Sequence, residues 1–258
     1  MTTLAEWTRA QLGFDATAQA PSTAAWLALP QQPLLQVTAG EVFRDDPGTL
    51  HGLREKLAWY PRDVWLWAMA SQWHLIANAE PRVGRTIEAG DARGAALIAA
   101  RIVRLVMELS FLQERRYRPY DKWFGTAFAR LDAAPTLGPQ LDAVLAAPHD
   151  EARIEALHLA LLFAAERHNG LDLTPPVSPV VDRFEVGINE AVRPYRVLNA
   201  GKFVDACKGA IADEALRDLV PVGTFDQLTH GDDALVNFTD WPRRLEDVYR
   251  QLLEARRG

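Results

Sequence analysis

The residues best suited to chemistry crowd into one short segment, Arg115–Trp123. It reads R-R-Y-R-P-Y-D-K-W and groups Arg115, Arg116, Arg118 and Lys122 with Tyr117, Tyr120 and Trp123. A guanidinium offers a planar fork of N–H donors that matches carboxylate and phosphate oxygens. Tyrosine and tryptophan add flat apolar faces with a polar handle, and a cation can stack on such a face. The combination suits an adenine ring, a sugar phosphate or the acidic loop of a partner. It equally suits a helix end whose rings pack inward while its cations meet water.

Two further groups carry charge in a pattern. Arg101, Arg104 and Glu108 are spaced by three and four and share one helix face, with Glu114 and Arg115 following. In an otherwise apolar helix these charges form either a structural ion-pair network or an oxyanion site built on Arg101 or Arg104. Arg104 and Glu108 are expected to be partly buried and bridged, and stranding one of such a pair typically costs about 3–5 kcal/mol. The stretch P-R-V-G-R-T-I-E-A-G places Arg82 and Arg85 around Gly84 and Gly90, with Arg93 beyond, just before a helix start. Helix N-termini attract anions through free amides and the macrodipole. The Gly-Lys-Ser/Thr ending of a phosphate-binding loop is missing, so a tight inter-helix turn is the alternative.

The candidate ligand-binding residues are therefore Arg101, Arg104, Glu108, Arg115, Arg116, Tyr117, Tyr120, Lys122, Trp123, Arg82 and Arg85. A helix of about 25 residues is roughly 37 Å long, so its two ends cannot both touch one small ligand unless the connector folds back. The Arg115–Trp123 end is favoured, because cations, hydroxyls and aromatic faces coincide only there.

Other chemistries lack their full sets. Glu155 and His158 form E-x-x-H, half of a carboxylate di-metal motif, with no second copy. No H-E-x-x-H or G-x-S-x-G occurs, and the serines are Ser22, Ser71, Ser110 and Ser178. His168 is expected to cap a helix end, and the lone Cys207 to be a small buried hydrophobe. Trp59, Trp65, Trp67 and Trp73 read as core residues. No metal and no cofactor are expected, and no catalytic residues are assigned.

The elements that must position these residues read as helices. They are expected over Leu4–Leu12 with Thr3 as N-cap, Ser22–Leu29, Thr49 to about Trp59, Pro61 to about Ala79, Ala92–Arg116 with Asp91 as N-cap, Lys122–Leu131, Leu141–Ala147 and Asp150–Arg167. Glu80–Gly90 is expected to be a connector. Ala92–Arg116 is apolar nearly all round, Leu97 included, and is expected to be buried. After His168 a passage rich in proline loses periodicity; Arg193–Leu198 is a possible strand, and Lys202–Ile211 and Pro242–Arg257 are helical. The fold class is all-α: a multi-helix bundle with a less regular C-terminal third and at most one or two short strands. Residues 1–170 are expected to form a helical core domain, and 171–258 an irregular linker and C-terminal helices packed on it.

The chain has 258 residues and a net charge of −6, and only four of its 28 basic residues are Lys. No nucleic acid and no membrane are expected as partners. The opening M-T-T-L-A-E-W-T-R-A-Q-L is amphipathic rather than a secretory signal, so the expected location is cytoplasmic.

Several stretches together resemble a known bacterial family. They are WLALPQQPLLQVTAGEVFRDDPGTL, LAWYPRDVWLWAMASQW, VGRTIEAGDARGAALIAARIVRLVMELSFLQERRYRPYDKWFGTAF, HNGLDLTPP, RPYRVL and GTFDQL. The likeness, from about Trp26 to Trp241, is to domain-of-unknown-function family 4037. Members usually carry a nucleotidyltransferase-like domain before this helical region. Nucleotidyltransferases hold Mg²⁺ with two carboxylates one residue apart on a strand after a Gly-Ser turn. Here no Asp is followed two positions later by Asp or Glu, and Gly-Ser never occurs. The nearest imitation is Gly223–Thr224 followed by Asp232–Asp233. The resemblance thus implies a non-catalytic helical domain that binds a ligand or partner. Its partner would be a nucleotidyltransferase-like domain in trans, and its ligand a nucleotide or phosphorylated small molecule. A stand-alone enzyme using the Arg/Tyr/Glu cluster and a structural interaction domain are the alternatives.

Overall fold

The computed structural model describes residues 2–185 and 192–257. In chain order these form α1 (Leu4–Leu12), α2 (Thr23–Ala28), α3 (Gln31–Thr38), α4 (Thr49–Leu57), α5 (Arg62–Glu88), α6 (Ala92–Gln113), α7 (Asp121–Phe128), α8 (Ala134–Ala146) and α9 (Asp150–Asn169). There follow β1 (Asp182–Glu185), β2 (Val192–Val197), α10 (Gly201–Gly209), α11 (Glu214–Arg217), α12 (Phe225–Thr229), α13 (Asp233–Asn237) and α14 (Trp241–Glu254). The all-α expectation holds, with one two-stranded antiparallel sheet among the described residues. Its register sets Asp182 opposite Val197 and Arg183 opposite Arg196, with an irregularity before Glu185.

The chain divides into two compact units, each built from separated segments. One holds residues 1–68, 115–127 and 211–258; the other holds 69–114 and 128–210. Residues 171–210 thus belong to the second unit and 211–258 to the first.

In the first unit α2 packs on α14, α1 and α4 on α3, and α11 and α13 on α14. Its centre is aromatic. Trp59, Tyr60 and Tyr117 lie with ring centroids 5.0–5.4 Å apart, Trp26 stands edge-on to Tyr60, and Trp67 edge-on to Tyr249. Edge and tilted contacts are what ring quadrupoles favour, and large rings supply most of the apolar burial. The start of α1 is fixed by a capping box in which Thr3 accepts from the Glu6 amide and the Glu6 carboxylate accepts from the Thr3 amide.

In the second unit α6 lies on α8 and α9. Ala95 and Ala99 on α6 and Ala160, Ala164 and Ala165 on α9 are buried. Small side chains there allow close helix approach. Trp73 of α5 stacks on Phe203 of α10 at 4.4 Å, and His168 of α9 stands edge-on to both.

Several expectations change. Glu80–Gly90 is no connector: α5 continues through Pro81 to Glu88. Packing explains this, since Gly84 lies directly under the Tyr195 ring of β2, where an added Cβ would come within 2.3 Å. The helix then ends in a Schellman turn: the Gly90 amide bonds the Ile87 carbonyl and the Asp91 amide the Thr86 carbonyl, with Gly90 left-handed. Helix α6 stops at Gln113 rather than Arg116, because Arg115 is left-handed at φ 55°. Nor is α6 buried all round, for Leu97 is 67% exposed. The strand expected over Arg193–Leu198 exists and has a partner, β1. Helices α11, α12 and α13 arise within the passage read as irregular.

Candidate functional site

The site is built where the chain leaves α6. Pro119 has no amide to donate and disfavours helix in the residue before it, and Tyr117–Tyr120 lies outside regular structure before α7. Consecutive glutamines at the start of α3 hold it there. The Arg118 amide donates to Gln31 Oε1 at 3.0 Å, and the Tyr120 amide to Gln32 Oε1 at 2.9 Å. Tyr117 turns inward, and its hydroxyl donates to the Leu57 carbonyl at 2.9 Å. Burial raises that phenol's pKa well above its ordinary value. Tyr117 is therefore a core residue and does not face a ligand.

The opposite wall is the loop 223–233. Thr224 and Gln227 close a capping box at the start of α12, and Gln227 Nε2 donates to the Ala68 carbonyl at 3.0 Å. Tyr249 of α14 donates its hydroxyl to the Gly223 carbonyl. So anchored, α12 points Asp226 inward, where Oδ2 accepts from the Gln31 amide at 2.8 Å.

Between the walls lies Arg118, 4% exposed. Its Nη2 donates to Asp226 Oδ1 at 3.5 Å, and its Nη1 lies 3.9 Å from Asp121. Both separations are longer than the 2.7–2.9 Å of a tight charge-assisted bond. The guanidinium also lies against Gly231, whose φ is +68° and where an added Cβ would come 2.5 Å from Nη2. Both the backbone angle and the close approach require glycine. Arg118 faces a small notch that it shares with Gln32, Tyr120, Asp226, Gly231 and Asp233. Tyr120, Gly231 and Asp233 also line a wider cleft with Asp121, His230 and Asp232. Nearby, the Tyr60 hydroxyl is buried without a hydrogen-bond partner; burial raises its pKa, and Tyr117 and Asp226 raise it further.

The structure separates the residues picked from sequence. Tyr120 lines the notch, and Lys122 and Trp123 begin α7 close by, the Lys122 ammonium 5.2 Å from the Trp123 ring, itself half exposed. Arg115 lies over Trp65 at 5.4 Å, and Arg116 is exposed. The remaining candidates belong to the other unit. There Arg104 Nε donates to Glu108 Oε1 at 3.1 Å, and Gln72 Nε2 donates to Glu108 Oε2 at 3.2 Å. The ion-pair reading of this helix face is thus realised. Arg101, Arg82 and Arg85 are exposed, the last two on α5 rather than in a loop.

In the sequence Arg118 stands in the cluster but not among the candidate ligand residues, Asp233 stands only in an incomplete metal motif, and nothing marks Asp226 or Gly231. Arg118 stands between two tyrosines in Y-R-P-Y, and the proline that takes it off the helix was a usable signal. Nothing local marks the 223–233 loop as its neighbour, because the pairing spans more than a hundred residues.

Two histidines take structural places. His168 caps nothing: it is buried, its Nδ1 accepts from Trp73 Nε1 at 3.1 Å, and Nε2 then donates to Thr174 Oγ1 at 3.1 Å. Burial pushes its pKa down to about 4. His158 Nε2 lies 3.0 Å from the Arg196 carbonyl. Among the described residues no group of three or more His, Cys, Asp or Glu side chains converges as metal ligands do.

Residues 26–124 match the model of a family described as domain of unknown function (DUF4037). The match takes in Gln31, Gln32 and the whole Arg115–Trp123 segment, but not the 223–233 loop. No curated protein and no solved structure matches the chain.

Proposed function

We propose that this chain is a non-catalytic helical binding module that seats a small anionic ligand on Arg118, beside Tyr120 and the 223–233 loop. One observation carries the reading. Arg118 is almost wholly buried, yet its hydrogen bond to Asp226 is long, at 3.5 Å. A guanidinium carries five N–H donors, and the acid partners of this one, Asp226 at 3.5 Å and Asp121 at 3.9 Å, both stand farther off than a tight charge-assisted bond. A ligand oxygen in the notch would supply what Asp226 supplies poorly. Lys122, exposed at the start of α7, would add long-range attraction.

The family resemblance gives this module its setting. It would serve a nucleotidyltransferase-like domain supplied in trans, with a nucleotide or phosphorylated small molecule among the candidate ligands. The absence of a D-x-D or D-x-E pair from the sequence supports a binding role rather than catalysis of transfer.

The test is thermal melting of the purified chain against carboxylates, inorganic phosphate, sugar phosphates and nucleotides. A ligand at a hundred times its Kd adds about 2.7 kcal/mol to stability. At least one anion should raise Tm, Lys122→Ala should reduce that gain, and Arg118→Gln should abolish it. If no anion shifts Tm, or if the shift survives Arg118→Gln, the reading fails.

A further inference from the structure

We infer that the ligand of the Arg118 notch is a small amino carboxylate: one carboxylate oxygen enters the notch, and the ammonium group sits in the outer cleft among Asp121, Asp232 and Asp233. This rests on the binding-module reading above and narrows its ligand class.

Size comes first. The notch at Arg118 has a volume of about 10 Å³, whereas the outer cleft has about 310 Å³. A space of 10–15 Å³ on this measure holds about one water molecule. The notch therefore takes a single oxygen atom. A carboxylate can place one oxygen there and leave the other at the mouth. A tetrahedral phosphoryl group can likewise insert one oxygen, so size limits the entering atom and charge has to choose between the two ligand classes. The cleft, by contrast, is the size of a small-ligand pocket.

Charge favours the amino carboxylate. Arg118 already has Asp226 at 3.5 Å, so the notch starts near neutrality. The cleft beyond adds Asp121, Asp232 and Asp233, against His230 as the titratable base that lines it. Two unit charges 4 Å apart interact by about 4 kcal/mol at the effective dielectric of a protein surface. A phosphate dianion would meet that repulsion from Asp121, Asp226, Asp232 and Asp233, set against Arg118 and the exposed Lys122. An amino carboxylate carries no net charge, and its ammonium turns the same aspartates into partners. Tyr120 lines both spaces, and an aromatic side chain there suits a cation.

Geometry limits the competing solution, in which a divalent cation bridges the aspartates to a phosphate. The carboxylates of the cleft do not converge as metal ligands do among the described residues. Asp232 caps α13 by accepting from the Leu235 amide, and Asp233 accepts from Asn237 Nδ2 at 2.7 Å. Each retains acceptor capacity for one ammonium hydrogen bond, since a carboxylate has about four acceptor sites.

The experiment is calorimetric titration of the full chain with 4-aminobutyrate, butyrate, butylamine, inorganic phosphate and magnesium ATP. 4-Aminobutyrate should bind about tenfold more tightly than butyrate or butylamine, the scale of one charge-assisted hydrogen bond. Asp121→Asn and Asp233→Asn should each weaken 4-aminobutyrate severalfold more than they change butyrate. Asp121 is exposed in the first turn of α7, so its variant tests the idea even if others fold poorly. Equal affinity for butyrate and 4-aminobutyrate would overturn the inference, as would unchanged affinity in both variants. Binding of phosphate or magnesium ATP without 4-aminobutyrate would overturn it while leaving the binding module standing. Silence from every probe at millimolar concentration would remove both.

Discussion

Glu108 shows what one residue is worth when its partners are counted. It is 9% exposed, Arg104 is 34% exposed, and Gln72 also donates to the same carboxylate. Removing Arg104 therefore does not strand Glu108 completely. The cost of Arg104→Leu should fall to about 1–3 kcal/mol, below the 3–5 kcal/mol expected of a fully buried pair. Glu108→Leu should cost about as much, because Gln72 keeps its bond to the Leu105 carbonyl at 2.9 Å. Urea unfolding midpoints check both, and an unchanged midpoint in either variant refutes the account. This pair was legible in the sequence because i,i+4 spacing in an apolar helix forces the charges onto one face. Arg118 was not, since its importance comes from Asp226 and Gly231, far along the chain.

At the scale of elements, helix existence was legible and helix ends less so. Caps spoke clearly at Thr3 and Asp91, which each accept from an amide in the first turn as expected, whereas Ser22, expected as the first helical residue, caps α2 instead. Proline and glycine misled over Glu80–Gly90, because tertiary packing overrode local preference. Gly84 there seats a ring. Gly84→Ala should thus cost about 1–3 kcal/mol through overpacking against Tyr195. Gly125, in α7, meets nothing within 4 Å of an added Cβ. Gly125→Ala should instead gain about 0.5–1 kcal/mol from helix propensity. Thermal denaturation of the two variants should therefore move in opposite directions; two shifts of the same sign would refute the contrast. The short helices α11 to α13 escaped notice because four or five residues hold too little periodicity to read.

Over the molecule as a whole, two buried groups set opposing responses to pH. Glu80 accepts from the Leu198 and Ala200 amides, yet burial raises its pKa from 4.5 to about 7. Between those values the folded protein holds a proton that the unfolded chain has released. Stability therefore falls as pH rises from about 4.5 to 7. His168 goes the other way. Its pKa drops from 6.5 to about 4 on burial, so stability falls as pH drops through that interval. Each effect is worth about 3 kcal/mol over its full range. From about pH 4.5 to 6.5 the two slopes cancel. Glu80→Gln should uncover the His168 slope, a steady loss of stability on acidification from about 6.5 to 4. His168→Gln should uncover the reverse, a loss as pH rises from about 4.5 to 7. Chemical denaturation across that pH series is the measurement, and variants with the same flat profile as the parent would refute the opposition.

The interleaved segments have a consequence for synthesis on the ribosome. Everything the second unit needs lies between residues 69 and 210. The first unit must wait, although its first helices emerge earliest: α2 packs on α14, and the Gln31 amide is bonded by Asp226. Contacts of such sequence separation are slow to form. Until residues from 211 onward leave the exit tunnel, α2 lacks the α14 surface it packs on, which leaves the core around Trp26 and Leu27 incomplete, a state of the kind chaperones hold. Pulsed hydrogen exchange during refolding should accordingly protect α6 and α9 before α2 and α3. Simultaneous protection of all four would mean that the whole chain waits for its end.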